Sequence, residues 1–317
     1  MYLYVFIVLF SVFTTVKGYE NINFIFDFSY VERNIEKYKD FDEHSEILMN
    51  RNKGFNLNYG ELNFSLPVDS KIKIKAVFHI TQDSFEVGEL FFLTGRNLKF
   101  KCGKFRSSVG ILNDKHQHEW DFSEIPLFYQ SFFGDHALNE KGVQISYRSK
   151  DIFTGFEILQ GENEYSFGEE GADLLTIFMR GDFPYIKPVF SYLEGGSKEG
   201  NFSQETKMSI LGGEFLLSDK VRFQGEYAYR LKGSSKNSGY YIQTTYSVKN
   251  FLKTGIRYGY VENNLYRYSG MITYFFSEKV KLRIQYNYDR SLILNGKREN
   301  VNEFIIEITL ETGSDEH

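Results

Sequence analysis

The stretch Lys71-Ile-Lys-Ile-Lys-Ala-Val-Phe-His-Ile80 decides the fold, because polar and apolar side chains alternate through most of it. Its odd positions carry three lysines, one valine and a histidine, whereas its even positions carry only apolar side chains. Successive side chains of a β-strand point to opposite faces. The stretch therefore predicts a strand with one face toward water and one toward an apolar medium.

The same two-residue period recurs along the chain and predicts about sixteen strands bounded by Gly, Asn, Asp and Ser. In Val280–Asp289, for example, every second side chain from Lys281 onward is polar, which is typical of a strand lining a water-filled lumen. The predicted strands are Ile22–Arg33, Phe55–Leu66, Lys71–Ile80, Phe85–Leu93, Leu98–Phe105, Val143–Arg148, Phe153–Leu159, Leu174–Arg180, Ile186–Leu193, Lys207–Leu217, Val221–Leu231, Tyr240–Val248, Phe251–Tyr260, Tyr266–Phe276, Val280–Asp289 and Asn302–Thr312.

The connections between these strands alternate in length. Short ones such as Ser218–Lys220 and Ser277–Lys279 take every second position, and longer ones such as Gly161–Asp173 mostly take the others. This pattern is typical of an up-and-down barrel whose two termini lie on the side of the short turns. We therefore predict an all-β fold, a closed antiparallel up-and-down transmembrane β-barrel of about 16 strands. A soluble β-sandwich or another secreted β-protein also alternates and remains the alternative.

Composition supports a membrane barrel over a helical membrane protein. Aromatic residues make up 18% of the chain, with 23 Tyr and 32 Phe, and after residue 18 no run of eighteen apolar residues occurs. Tyrosine and phenylalanine in short alternating runs fit the lipid-facing band and the aromatic girdles of a barrel. The single cysteine, Cys102, excludes an internal disulfide as the stabilising device.

Residues 1–18 are predicted to be a signal peptide, which leaves 19–317 as one barrel domain. The apolar run from Tyr2 to Val16 is short for a membrane span, and Gly18 is a suitable cleavage position. No Lys or Arg precedes the run, so an uncleaved anchor stays open as an alternative. Removing Lys17 leaves 36 basic against 42 acidic side chains, a net charge of −6, which argues against nucleic acid as a partner.

Several segments resemble a family of bacterial outer-membrane porins, the phosphate-selective porin-like family. They are Ile22–Arg33, Gly54–Leu62, Cys102–Arg106, His116–His118 and Phe132–Gly134 leading into Gly142-Val143. The resemblance implies a porin in the outer membrane of a Gram-negative bacterium. Such barrels commonly finish on an aromatic residue that assembly factors recognise, whereas this chain finishes Thr312-Gly-Ser-Asp-Glu-His317. The difference bears on the efficiency of assembly more than on the fold.

The long segment between the predicted strands Leu98–Phe105 and Val143–Arg148 is predicted to be the third outer loop. It has no helix signature of its own. General porins of sixteen strands, which the chain resembles here, fold this loop into the lumen. Its acidic side chains would face a basic wall and favour charged solutes, with a preference for anions. The predicted constriction residues are Lys99, Lys101, Lys104, Arg106, Asp114, His116, His118, Glu119, Asp121, Glu124, Asp135, Arg222, Arg257, Lys281 and Arg283.

Two further interpretations of the loop receive less support from the sequence. His116 and His118 beside acidic residues suit a metal, but the pair lacks the spacing of a defined site and would need a third ligand such as His136. We therefore predict no metal, no cofactor and loop anchoring by hydrogen bonds. Ser107 and Ser108 lie near the histidines, but no nucleophile motif supports a hydrolase, so no enzymatic activity is predicted.

The function predicted from these features is passive diffusion of small hydrophilic solutes, with a preference for anions. The alternatives are an outer-membrane receptor or energy-coupled transporter, and a structural barrel or adhesin without an open pore. The expected partners are outer-membrane lipid and the solutes themselves. A homotrimer is common for this class, although no residue pattern in the chain identifies an interface.

Overall fold

A computed structural model describes residues 22–35, 51–81, 84–134, 137–163, 165–167, 174–199, 202–294 and 297–312. The predicted signal peptide lies outside these residues, as do Asp135 and His136. Among the described residues, no helix is both long enough and apolar enough to cross a bilayer.

Within the described chain, sixteen antiparallel strands close into one barrel, and a two-stranded hairpin lies in the connection before the last strand. The strands, with the hairpin as β16 and β17, are β1 (Ile22–Arg33), β2 (Gly54–Pro67), β3 (Ile72–Ile80), β4 (Phe85–Gly95), β5 (Leu98–Arg106), β6 (Asn139–Arg148), β7 (Ile152–Leu159), β8 (Leu174–Gly181), β9 (Ile186–Glu199), β10 (Phe202–Ser218), β11 (Val221–Lys232), β12 (Ser235–Lys249), β13 (Leu252–Val261), β14 (Leu265–Ser277), β15 (Val280–Asp289), β16 (Ile293–Leu294), β17 (Lys297–Arg298) and β18 (Val301–Glu311). The predicted fold and strand number are confirmed.

Each barrel strand pairs with its neighbours in the sequence, and β1 pairs with β18 to close the sheet. The first and last strands meet beside the short turns, where the Thr312 N–H donates to the Phe24 carbonyl at 2.9 Å. We call this the short-turn end and the opposite rim the long-loop end. The loop between β5 and β6 is the third connection at the long-loop end, as the order of strands predicts.

The two faces of the wall differ in chemistry, as the alternation predicts. In β13, Ile256 is 69% exposed on the outer face, whereas its neighbour Arg257 is 5% exposed and points into the barrel. Aromatic rings contact one another on the outside near both rims, Tyr258 with Tyr268 at 4.8 Å and Phe251 with Tyr274 at 5.5 Å between ring centroids. This apolar outer surface with aromatic edges is that of a transmembrane barrel.

One predicted outer connection is instead a continuation of the sheet. The sequence pattern ends one strand at Leu193 and starts the next at Lys207, yet β9 and β10 stay paired beyond these residues, with Glu194 opposite Lys207 and Gly196 opposite Glu205. Such a polar, glycine-rich extension lacks the alternation that identifies a strand with one face toward lipid. The sequence pattern therefore does not predict the pairing of β9 with β10 beyond Leu193 and Lys207.

The third loop contains a short helix, which the sequence analysis also missed. Helix α1 (Leu127–Phe133) lies inside the barrel, and all seven of its residues are buried. Because it is buried all round, its sequence carries no polar face from which a helix could be identified. It packs against β12 and β13, where Gly239 and Gly259 have no side chains and let the helix approach the backbone closely. A Cβ at Gly239 would lie 2.6 Å from the Phe128 Cβ.

Candidate functional site

The third loop, residues 107–134 with 137 and 138, fills part of the lumen and shares a hydrophobic core with the wall. Phe128 stacks on Tyr129 with centroids 4.3 Å apart and also faces Tyr241 of β12 at 6.0 Å. Wall residues such as Leu193 and Met208 join this core and are almost fully buried. The inner wall is therefore apolar where the loop contacts it. This differs from the strictly polar inner face that the strand alternation predicts.

Buried wall carboxylates bind the entry of the loop. Glu226 of β11 accepts hydrogen bonds from the Ile111 N–H at 2.8 Å, the Tyr129 hydroxyl at 3.0 Å and the Tyr241 hydroxyl at 2.8 Å. Glu157 of β7 accepts one from the Ser108 N–H at 2.9 Å. Each acceptor satisfies a backbone N–H that is buried away from water.

Glu157 also holds the two serines that the sequence places near the histidines. The Ser107 hydroxyl donates to Glu157, and the Ser108 hydroxyl accepts from the Gln144 side chain at 3.0 Å. Both serines are buried. Their hydroxyls thus serve to anchor the loop.

The acidic residues of the loop contact the basic wall directly. Asp114 pairs with Arg180 at 2.8 Å, and Glu124 pairs with Arg267 at 3.0 Å. Asp121 pairs with Arg222 and lies 3.2 Å from Lys253. These acids therefore lie against the basic wall, and direct pairing neutralises the charges on both sides.

The ion pairs also change how the loop carboxyls titrate. Burial by itself raises the pKa of Asp121, but the adjacent Arg222 and Lys253 outweigh it and hold the pKa below its usual value. At Glu124 the same opposition between burial and the neighbouring Arg267 also ends with a lowered pKa. Both groups are therefore carboxylates at neutral pH.

Three of the predicted basic residues hold the loop through its backbone. Arg257 donates to the Glu124 carbonyl at 2.8 Å, Arg283 donates to the Trp120 carbonyl at 2.6 Å, and Lys281 donates to the His118 carbonyl. The Arg257 guanidinium also lies over the Phe122 ring at 4.5 Å. These cations position the loop and are covered by it.

Basic residues at the short-turn end are more accessible. Lys73 and Arg148 are exposed, and Lys75, Lys99 and Lys101 are half-buried, all on the inward face of β3, β5 and β6. Lys101 lies 4.9 Å from the ring centres of Phe91 and Phe105. Within the described chain, none of the five has a carboxylate within 4 Å. We call these five residues the basic row.

A cavity of about 350 Å³ lies beside the basic row. Five cations line it, Lys115, Arg148, Arg180, Lys187 and Arg222, together with the two acids Asp182 and Glu214. Arg148 belongs both to the cavity and to the basic row. Lys115, Arg180, Lys187 and Arg222 each have a carboxylate within 4 Å. The excess positive charge at the short-turn end therefore comes from the basic row.

The histidines of the loop meet residues of β2, β3 and β4. His116 Nδ1 lies 3.0 Å from Glu61 Oε2, and His79 Nε2 lies 3.3 Å from the same oxygen. His116 Nε2 faces Glu89 at 3.7 Å, and His118 Nδ1 lies 4.0 Å from Glu61 Oε1. Burial disfavours a charged imidazole, but Glu61 and Glu89 outweigh it and raise the pKa of His116 to about 9.

Three predicted constriction residues lie in other places. The prediction that Lys104 lines the constriction is wrong. Lys104 pairs with the exposed Leu90, so its side chain lies on the outer face. Its Nζ donates to the Val87 carbonyl at 2.8 Å. The alternation of faces continues without interruption through Gly103. Arg106 is buried with its N–H donating to Glu89 at 2.8 Å, and Glu119 is exposed and accepts from the His116 N–H at 2.7 Å. Asp135 lies outside the described residues.

The residues that the sequence analysis missed are mostly wall acids, namely Glu61, Glu89, Glu157, Glu226 and Glu307. Glu307, for example, pairs with Arg283 and with Arg51 at 3.0 Å. Their inward placement follows from strand alternation, so this signal was available. Their partners were not predictable, because they lie on the loop or on distant strands.

Comparison with known proteins gives a relative and a fold. No family model matches the sequence. An uncharacterized protein of Aquifex aeolicus (strain VF5) is 30% identical over an alignment of 371 positions, which covers 93% of this chain and 78% of the relative. The chain belongs to the same family as this Aquifex protein.

Solved structures show that this chain has the fold of porin barrels. An anion-selective porin from Comamonas acidovorans matches with a TM-score of 0.67 at 10% identity, over 92% of this chain and 98% of that one. The outer membrane channel DcaP of Acinetobacter baumannii matches with 0.65 at 13%, over 92% and 96%. Salmonella typhi OmpF in complex with daunomycin gives 0.65 at 11%, over 92% and 98%.

Proposed function

We propose that the protein is an outer-membrane channel for passive diffusion of small hydrophilic solutes, with a preference for anions. The porin fold supports a channel in the Gram-negative outer membrane. The basic row carries the anion preference, because its five cations are accessible and have no carboxylate within 4 Å in the described chain. Cations in a narrow, low-dielectric passage raise the local concentration of anions.

The location of the preference differs from the one expected at first. Asp114, Asp121 and Glu124 are neutralised by wall cations, so the side of the lumen where they lie contributes little net charge. The basic row keeps an excess of positive charge at the short-turn end. Anions would therefore be selected at the short-turn end, whichever direction they cross the channel.

Reversal potential in a planar bilayer tests this proposal. Under a KCl gradient the wild-type channel should show a potential that indicates chloride preference, together with stable conductance steps. The triple variant K73Q/K99Q/K101Q should shift the potential toward cation preference, because three of the five charges are removed. Lys104 provides the matched control, since its side chain lies on the outer face and K104Q should leave the potential unchanged. Cation preference in the wild type, or an unchanged potential in the triple variant, would contradict the proposal.

Two accessory proposals accompany the channel. We infer that the barrel contacts outer-membrane lipid through its apolar outer face and that it assembles as a homotrimer. The mass of the protein-detergent complex, measured by light scattering with the detergent contribution subtracted, distinguishes a trimer from a monomer. We assign the protein no enzymatic activity.

A further inference from the structure

We propose that Glu61, His79 and His116 form a binding site for a divalent transition-metal ion of the zinc type, which would fasten the third loop to the wall. This goes beyond the proposed channel and does not depend on it. The three residues come from β2, β3 and the third loop, so only the folded barrel brings them together.

The distances fit zinc coordination. A tetrahedral zinc ion with bonds of about 2.0–2.1 Å separates its ligand atoms by roughly 3.3 Å. His79 Nε2 and His116 Nδ1 lie 3.3 and 3.0 Å from Glu61 Oε2, and the candidate ligand atoms of the three residues all lie within 4.8 Å of one another. Two imidazoles and one carboxylate are a known ligand set for zinc, and they leave one position for water or another ligand.

The surrounding residues orient the candidate ligands. Asn63 donates to Glu61 Oε1 at 2.8 Å, which leaves Oε2 directed at the two imidazoles. His116 turns its other ring nitrogen toward Glu89 at 3.7 Å. Metal-binding histidines usually direct that second nitrogen at a carboxylate, which fixes the ring and makes it a stronger ligand. Asn63 and Glu89 would therefore orient the ligands without binding the metal themselves.

The backbone around the site also accommodates the imidazoles. Gly88 of β4 lies against the His79 ring, and a Cβ there would come within 2.7 Å of its Cε1. The His116 N–H is held by Glu119 at the start of a short 3-10 turn, Gln117–Glu119. Two buried carboxylates, Glu61 and Glu89, require positive charge nearby, and a divalent ion would supply it.

The experiment uses the full-length protein, folded in detergent, without a polyhistidine tag and with chelator removed. A background variant, H44Q/H136Q/H317Q, eliminates three histidines outside the site. Titration with Zn²⁺ by calorimetry should show one ion per chain, and Co²⁺ should give the visible absorption of a tetrahedral complex. H79Q and H116Q should each abolish both signals, and N63A should weaken zinc binding by about 10- to 100-fold.

Two controls keep the test decisive. H118Q should retain binding, because the proposed ligands exclude His118; loss of binding in H118Q equal to that in H79Q would reject this ligand set. Far-ultraviolet circular dichroism of each variant should show an intact barrel, which separates loss of a ligand from loss of folding. Absence of stoichiometric binding in the background variant, or binding that survives both H79Q and H116Q, would mean a hydrogen-bonded anchor only and would overturn the inference. Channel conductance is measured separately, so failure of the metal site leaves the proposed function standing.

Discussion

At the scale of single residues, the interior is organised by buried acids that accept hydrogen bonds from the loop. Glu226 holds one backbone N–H and two tyrosine hydroxyls. In E226A these donors would lose their acceptor while remaining buried, which costs about 1–3 kcal/mol for each unsatisfied group. We expect a lower free energy of unfolding in denaturant.

The single tryptophan of the chain makes this prediction measurable. Trp120 lies in the third loop and is 6% exposed, so its fluorescence reports whether the loop is docked. Its emission should move to longer wavelength in E226A at lower denaturant concentration than in the wild type. E194A is the control, because the Glu194 side chain points outward and is 40% exposed, so its removal should have little effect. Identical unfolding midpoints for E226A and the wild type would rule out the anchoring role.

Asp121 gives a prediction for the dependence on pH. A carboxyl whose pKa is lowered by folding contributes stability above its unfolded pKa, near 3.8, and this contribution disappears as pH falls through the folded value. Native Trp120 emission should therefore persist at pH 5 and weaken below about pH 4. In D121N the remaining dependence should be shallower, because one of the titrating groups is removed. An equally steep acid transition in D121N would show that the Asp121 ion pairs do not hold the loop.

At the scale of elements, the close approach of α1 to the wall depends on residues without side chains. A Cβ at Gly239 would lie 2.6 Å from the Phe128 Cβ, so G239A should displace the helix and expose Trp120 to solvent. Conductance through the barrel should then rise. The matched control is G270A, since a Cβ at Gly270 meets nothing within 4 Å. Equal fluorescence and conductance in the two variants would contradict the proposed packing.

The elements also show which parts of the structure the sequence could predict. Strands such as β1 and β15 have the predicted bounds, because lipid on one side and a polar interior on the other impose strict alternation. Helix α1 and the extensions of β9 and β10 lack that contrast and were missed. The ion pairs of Asp121 and Glu124 could not be predicted either, because their partners lie more than 100 residues away on strands whose contact with the loop depends on how the loop folds.

At the scale of the whole molecule, the loop and the barrel should unfold together. Their shared core includes Phe128 and Tyr129 of the loop and Tyr241 of the wall, so undocking the loop would expose apolar surface on both. We expect the Trp120 emission and the far-ultraviolet signal of the sheet to change at the same denaturant concentration, as in a two-state transition. A fluorescence change well before the loss of sheet would instead show that the loop is an independent unit.

The pairing of β1 with β18 has a consequence for how the chain is made. The Phe24 carbonyl and the Thr312 N–H, which meet in the closed sheet, are separated by 288 residues in the sequence. Until the ribosome has released almost the entire chain, β1 has no partner on that side and presents an open row of N–H and C=O groups that can pair with any other extended segment. Contacts so distant in sequence form slowly. The newly made chain must therefore reach its membrane with the edge of β1 shielded from other extended segments. Once β1 pairs with β18 and the sheet closes, this shielding is no longer needed.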